Sequence, residues 1–204
     1  MNQENNEQEE IIEKNDTAQT EKQNQMTMGA FIKEVLSWVV TIAAAVALAL
    51  FLNRVILINA TIPSGSMENT IMEDDRLLGL RLAYRSHDPQ RGDIIIFKYP
   101  DKEEENYIKR IIGLPGETVD IRDAKIYING SDTPLDEPYL KEEWVIETGP
   151  YHFEVPENSY LVLGDNRNNS LDARYWNNTY VSRDKILGKA WFRYYPFHSI
   201  GKLQ

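Results

Sequence analysis

Polar and apolar positions divide the chain into three unequal stretches. Residues 1–28 are nearly all polar and carry almost no large apolar side chain. Such a segment buries too little apolar surface to offset the entropy of ordering. It is expected to be a solvated, disordered acidic tail rather than a specific docking motif. Residues 35–52, VLSWVVTIAAAVALALFL, carry no charge, and a helix of that length spans about 27 Å. Asn53 and Arg54 interrupt the run, and Val55 to Ile58 resume it. Arg54 can snorkel to one interface while Trp38 meets the headgroups near the other. The pattern predicts an anchor helix over 29–58. A core helix or an amphipathic surface helix would show a polar face, and none is present. A cleaved secretory signal would have a short basic leader and a small-residue cut site. Here the leader is long and acidic, and INATIPS is a poor cut site.

Beyond residue 58 the period changes to that of short strands. RGDIIIFKYP (91–100) is a β-branched run between turn signals. DKEEEN (101–106) follows as an acidic loop, then YIKRIIGL (107–114) as a strand. TVDI and KIYIN flank a turn near Arg122–Ala124 and predict a hairpin that closes at Asn129–Gly130. SYLVLGD (159–165) and KILGKAWFRYYP (185–196) predict the last strands. Residues 132–149 show weak periodicity and many acids, as a surface excursion or small appendage would. The polar stretch 167–180, RNNSLDARYWNNTY, lies between two good strands and reads equally as a structural loop or a functional one. The fold class is mainly β, a coiled antiparallel sheet with one N-terminal transmembrane helix. The body runs over 59–204, with a small accessory excursion within 116–159.

Composition narrows the chemistry. The formal charge of −10 leaves no cationic footprint for general nucleic-acid binding. No cysteine is present, which excludes disulfides, thiolate catalysis and cysteine-based zinc sites. The three histidines, His87, His152 and His198, fall in no distinctive motif, and HExxH and GxSxG are both absent. A serine nucleophile would then need another base. Lysine serves if it is largely neutral, and burial favours the neutral amine. Lys109 sits between Ile108 and Arg110 with Ile111 and Ile112 beyond. In a strand Lys109 shares a face with Ile111, and Arg110 takes the other face to reach solvent or a carboxylate. Alternatively, Lys109 and Arg110 are ordinary surface charges. ATIPSGSMENT (60–70) combines Pro63 and Gly65 into a turn that flanks the glycine with Ser64 and Ser66. One hydroxyl could attack while the other stabilises an oxyanion. Taken alone, the segment is equally a linker leaving the membrane.

Four segments taken together resemble the bacterial type I signal peptidases, in their short single-span Gram-positive form. These are PSGSM (63–67), RGDIIIF (91–97), YIKRIIGLPGE (107–117) and GDNRNNSLDAR (164–174), in family order behind one anchor. The resemblance covers residues from about Phe31 to Pro196. It implies a membrane-bound serine endopeptidase that removes signal peptides from secreted precursors by acyl transfer. It makes Ser66 the nucleophile, Lys109 the general base, Ser64 an oxyanion donor beside the Ser66 N–H, and Ser170 the group that orients the Lys109 amine. Asp172 and Arg174 would form a supporting ion pair, with Asp165 and Arg167 holding the loop. Ile62, Pro63, Tyr107 and Ile108 would line shallow pockets for small residues in an Ala-x-Ala-like site. The implied partners are secretory precursors and a phospholipid membrane, with no cofactor, metal or nucleic acid. The family places the amino terminus in the cytoplasm and the catalytic body outside. Charge bias alone (Lys22 and Lys33 before the helix, Arg54 after it) barely decides that orientation. Nothing in the sequence sets an oligomeric state. Asn69 stands where the family usually has proline, and Ala173 where it usually has serine; neither change removes a reacting group. Two other readings are a membrane-tethered β module that only binds, and a self-cleaving repressor-like peptidase. The first leaves the four ordered segments unexplained. The second predicts a DNA-binding helical module that the N-terminal third does not resemble.

Overall fold

A computed structural model describes residues 28–145 and 149–203. The polar leader therefore lies outside the described residues. Helix α1 (Met28–Ile56) is long and apolar enough to cross a membrane, and it ends in a π-helical turn, Leu52–Ile56. Its large apolar side chains, Phe31, Trp38 and Phe51 among them, are exposed. The body is a separate compact unit that begins at Leu52.

The first strand of the body starts at Leu57, so the apolar tetrad Val55–Ile58 divides between a helical end and a strand start. The main sheet uses β1 (Leu57–Thr61), β2 (Arg76–Leu80), β3 (Ile94–Tyr99) and β4 (Lys102–Gly113). Next come β5 (Thr118–Arg122), β6 (Lys125–Ile128) and β7 (Tyr151–Glu154), which form a three-stranded sheet in the order β6-β5-β7. Strands β8 (Ser159–Leu163), β9 (Val181–Ser182), β10 (Ile186–Tyr195) and β11 (Gly201–Lys202) return to the main sheet, whose order is β1-β2-β10-β3-β4-β8-β9 with β11 on β10. All its pairings are antiparallel. Four antiparallel steps separate β1 from β4, so these two strands run in the same direction.

Strand β3 explains how the sheet is held. Its continuous apolar run IIIF faces two cores, as a strand covered on both sides must. Ile95 and Phe97 join a large cluster with Ile111, Val119, Ile121, Phe153, Tyr160 and Trp176. Ile94 and Ile96 join a smaller one with Ile58, Ile62, Met67, Ile71 and Leu77. The larger cluster also fastens the small sheet to the main one. Fully burying each of these side chains contributes roughly 1.5–3 kcal/mol.

Two segments depart from the sequence reading. Strand β4 begins at Lys102 inside the stretch expected as an acidic loop. Its register shifts there, pairing Tyr99 with Lys102 and Lys98 with Asn106, so Glu103 to Glu105 bulge outward. The carboxylates stay solvated or paired, Glu105 with Lys102 and Glu103 with Lys185. An extended edge can carry such charge, which composition alone reads as a loop. The second departure is the segment 132–145. Trp144 is buried in the large core cluster and Leu135 packs against it, so the segment is not a free surface excursion.

Candidate active site

Strand β1 runs into Ile62 and Pro63 and then a 3-10 turn, Gly65–Met67. Ile62 is fixed on both sides: its N–H donates to the Asp75 carbonyl at 3.0 Å, and its carbonyl accepts from the Asp74 N–H at 2.8 Å. Met67 and Ile71 are wholly buried behind the turn and hold it against the smaller core. The turn therefore presents Ser66 from a rigid support, with the side chains of Ser64 and Ser66 3.4 Å apart at their hydroxyl oxygens.

Lys109 comes from β4, opposite Ile95 of β3. Its Nζ donates to Ser66 Oγ at 2.7 Å and to the Ile108 carbonyl at 3.2 Å. The residue is only 4% exposed. Burial pushes the ammonium down from its ordinary 10.5 to about 8, against the pull of the Asp172 and Asp165 carboxylates. The result is an amine near neutrality in hydrogen-bond contact with a hydroxyl. That contact can move a proton off the serine. The Tyr107 ring lies 5.6 Å from the same amine.

The polar stretch 164–174 wraps behind the pair as a set of buried ion pairs. Asp165 takes both Arg110 Nε and Nη2, at 2.8 and 2.7 Å, and accepts from Thr70 Oγ1 at 2.6 Å. Arg110 thus meets a carboxylate and not solvent. Asp172 takes Arg174 Nε and Nη2, at 2.8 and 2.9 Å, and accepts from the Gly164 N–H at 3.0 Å. Arg167 does not pair with Asp165; its guanidinium takes both oxygens of Glu137, at 2.6 and 3.0 Å. The aromatic face of Trp144 lies near both Arg167 and Arg174. No sequence signal singles out Thr70, Glu137 or Trp144. Glu137 and Trp144 sit in the weakly periodic 132–145 segment, whose apolar residues are too sparse to signal a buried contact.

One expected contact is absent among the described residues. Ser170 Oγ is buried and makes no hydrogen bond among the described residues, so the contact with the Lys109 amine implied by the resemblance is not formed. Ser170 lies instead against Gly164, where an added Cβ would collide with its hydroxyl and with the Ser66 carbonyl. Asn69 is exposed, and Ala173 is buried in the large core cluster.

Ser66 and Lys109 line a groove of about 680 Å³ between β1 and β4. All four expected pocket residues, Ile62, Pro63, Tyr107 and Ile108, line it, as do Ile96 and Leu171. Among the described residues β1 pairs only with β2, and β4 before Arg110 pairs only with β3. Both walls therefore offer an unpaired strand edge to the groove. None of the three histidines lines it. Among the described residues no group of acidic and histidine side chains could hold a metal ion.

The profile of signal peptidases, peptidase S26, matches residues 35–195. The chain belongs to this family of serine endopeptidases. It is 42% identical over 168 residues to a probable signal peptidase I-2 of Synechocystis, covering 80% of this chain and 74% of that one. It is 41% identical to signal peptidase I of Leptolyngbya laminosa, covering 80% and 81%. Signal peptidase IB of Staphylococcus aureus is 32% identical, covering 81% of this chain and 92% of that one.

Proposed function

We propose that the chain is a membrane-anchored signal peptidase in which Ser66 attacks and Lys109 is the general base. The observation that carries this reading is the 2.7 Å contact between Lys109 Nζ and Ser66 Oγ, with the amine buried. Neutral Lys109 takes the hydroxyl proton as Ser66 Oγ adds to the scissile carbonyl. The Ser66 N–H and the Ser64 hydroxyl stabilise the oxyanion. Protonated Lys109 returns its proton to the departing amine, leaving an acyl-enzyme. Water, deprotonated by the same lysine, then releases the signal peptide.

An extended substrate fits between β1 and β4, where backbone pairing supplies affinity and alternate side chains reach the walls. Ile62, Pro63, Tyr107 and Ile108 leave shallow apolar space, which favours small residues at the first and third positions before the cut. Helix α1 confines enzyme and precursor to one bilayer and so raises their encounter frequency. In this reading residues 1–28 face the cytoplasm and the body from residue 59 lies on the outer surface. Ser170 borders the pair without bonding to it, and Asp165, Arg167, Asp172 and Arg174 brace the loop behind.

Cleavage of a secretory precursor by the wild type, by Ser66→Ala and by Lys109→Ala tests the assignment. Both variants should keep the wild-type circular dichroism and produce no mature fragment. Substantial turnover by either folded variant refutes the dyad.

A further inference from the structure

We infer that Asn166 is a positioning residue that aims the Ser66 amide N–H at the oxyanion. This rests on the reading of Ser66 as nucleophile. Asn166 is 1% exposed and does not line the groove. It grips the nucleophile turn twice. Its side-chain Nδ2 donates to the Gly65 carbonyl at 3.0 Å, and its backbone N–H donates to the Ser66 carbonyl at 3.1 Å.

The first of these contacts has a geometric consequence. The Gly65–Ser66 peptide is trans. A planar trans peptide sets its C=O and N–H antiparallel. Pulling the Gly65 carbonyl toward Asn166 therefore turns the Ser66 N–H the opposite way, off the buried side and toward the groove that Ser66 lines. The second contact fixes the next peptide plane, so Ser66 is held at both its flanking amides. The Glu68 N–H shares the Gly65 carbonyl at 3.2 Å. That bond belongs to the 3-10 turn itself; the Asn166 contact comes from 101 residues away and ties the turn to the 164–174 loop.

The orientation of the amide is fixed by its surroundings. Besides the Gly65 carbonyl, Nδ2 faces Glu68 Oε2 at 3.4 Å, a carboxylate that Lys141 holds at 2.7 Å. Both neighbours are acceptors, so nitrogen and not oxygen must face them. Asn166 Oδ1 is buried without a partner among the described residues. A buried unpaired acceptor costs stability, and an apolar residue of the same shape would avoid that cost. The asparagine is thus poorly explained as a packing residue and well explained as a donor to the nucleophile turn.

Asn166→Leu keeps the shape and removes the donor. Loss of a whole oxyanion donor costs roughly 10²–10³ in rate, and a misaimed one should cost less, roughly 10- to 100-fold in kcat. KM should hold, and the pH–rate midpoint should stay with Lys109. A second readout uses a peptide aldehyde ending in Ala-Xaa-alaninal and the matching alcohol. With the aldehyde, Ser66 Oγ bonds to the carbonyl carbon, the π pair moves to oxygen, and the hydroxyl proton passes to Lys109. Aldehyde affinity should fall by a factor like that in kcat, while alcohol affinity is unchanged. This ratio is read on folded protein only, and Asn166→Ala, which also removes the donor without adding charge, repeats the test should the leucine variant not fold. An unchanged kcat and affinity ratio overturns the inference, as does equal weakening of both ligands or a shifted pH midpoint. Turnover by folded Ser66→Ala would instead overturn the nucleophile assignment beneath it.

Discussion

Replacing Lys109 by methionine should abolish turnover and at the same time stabilise the body. Burial lowers the amine from 10.5 to about 8. Every tenfold rise in acidity corresponds to about 1.4 kcal/mol, so holding the protonated lysine in the folded site costs about 3 kcal/mol. The sign follows from a depressed cationic pKa. Below pH 8 the lysine is charged in both states and the full penalty applies. Between pH 8 and 10.5 the folded state releases its proton first, and the penalty fades. Above 10.5 both states are neutral and no penalty remains. Methionine is close to lysine in length and carries no charge to desolvate. It also removes the donor to Ser66 Oγ and to the Ile108 carbonyl, which offsets about 1 kcal/mol. The net gain should be about 2 kcal/mol at about pH 6 and should shrink toward about pH 10. Urea unfolding of the full chain in detergent, followed by tryptophan fluorescence at about pH 6, 8 and 10, measures it. A variant less stable than wild type at the acid end, or a difference independent of pH, would refute the reasoning. The wild-type chemical step has the matching profile. With a pKa of about 8, roughly one-tenth of the amine is neutral at pH 7, so the rate should climb nearly tenfold per pH unit below about 7 and level off above about 8.

Gly164→Ala should cut turnover severely, because its Cβ would overlap Ser170 Oγ and the Ser66 carbonyl; activity close to that of wild type would contradict the packing described. Asp165→Ala leaves the Arg110 guanidinium, 3% exposed, without its carboxylate. It should lower stability by about 3 kcal/mol or more in denaturant titration, and a loss below about 1 kcal/mol would show that the pair is not an essential brace.

The sequence exposes what depends on local pattern. The uncharged run 35–52, the apolar stretch 94–97 and the hairpin around residues 122–124 all announce themselves by period. The proximity of Ser66 to Lys109 does not, since 43 residues separate them and only β3 and the turn after β1 bring them together. That link is legible only when four segments are read at once. Ion-pair partners are harder still. Asp165 and Arg167 are two residues apart and invite pairing, yet Asp165 points to β4 and Arg167 to Glu137. Alternation along an extended chain and the fold of a remote segment decide such choices. Glu103 to Glu105 mislead because charge reads as loop when the strand beneath it is exposed on both faces.

The two parallel strand edges that face each other across the groove have a further consequence. A gap between strands accepts a main chain only when that chain is itself straight and has spare amides on both sides. A helix or a tight turn is not straight, and a strand already in a sheet has its amides taken on at least one side. The enzyme would therefore sense whether a stretch of cargo has folded before it senses what that stretch spells. Exported proteins would be safe from it once folded, however many alanines they display, and a precursor would be cut only while its processing region remains unstructured. Timing, set by how quickly the cargo acquires its own hydrogen bonds, would become part of the specificity.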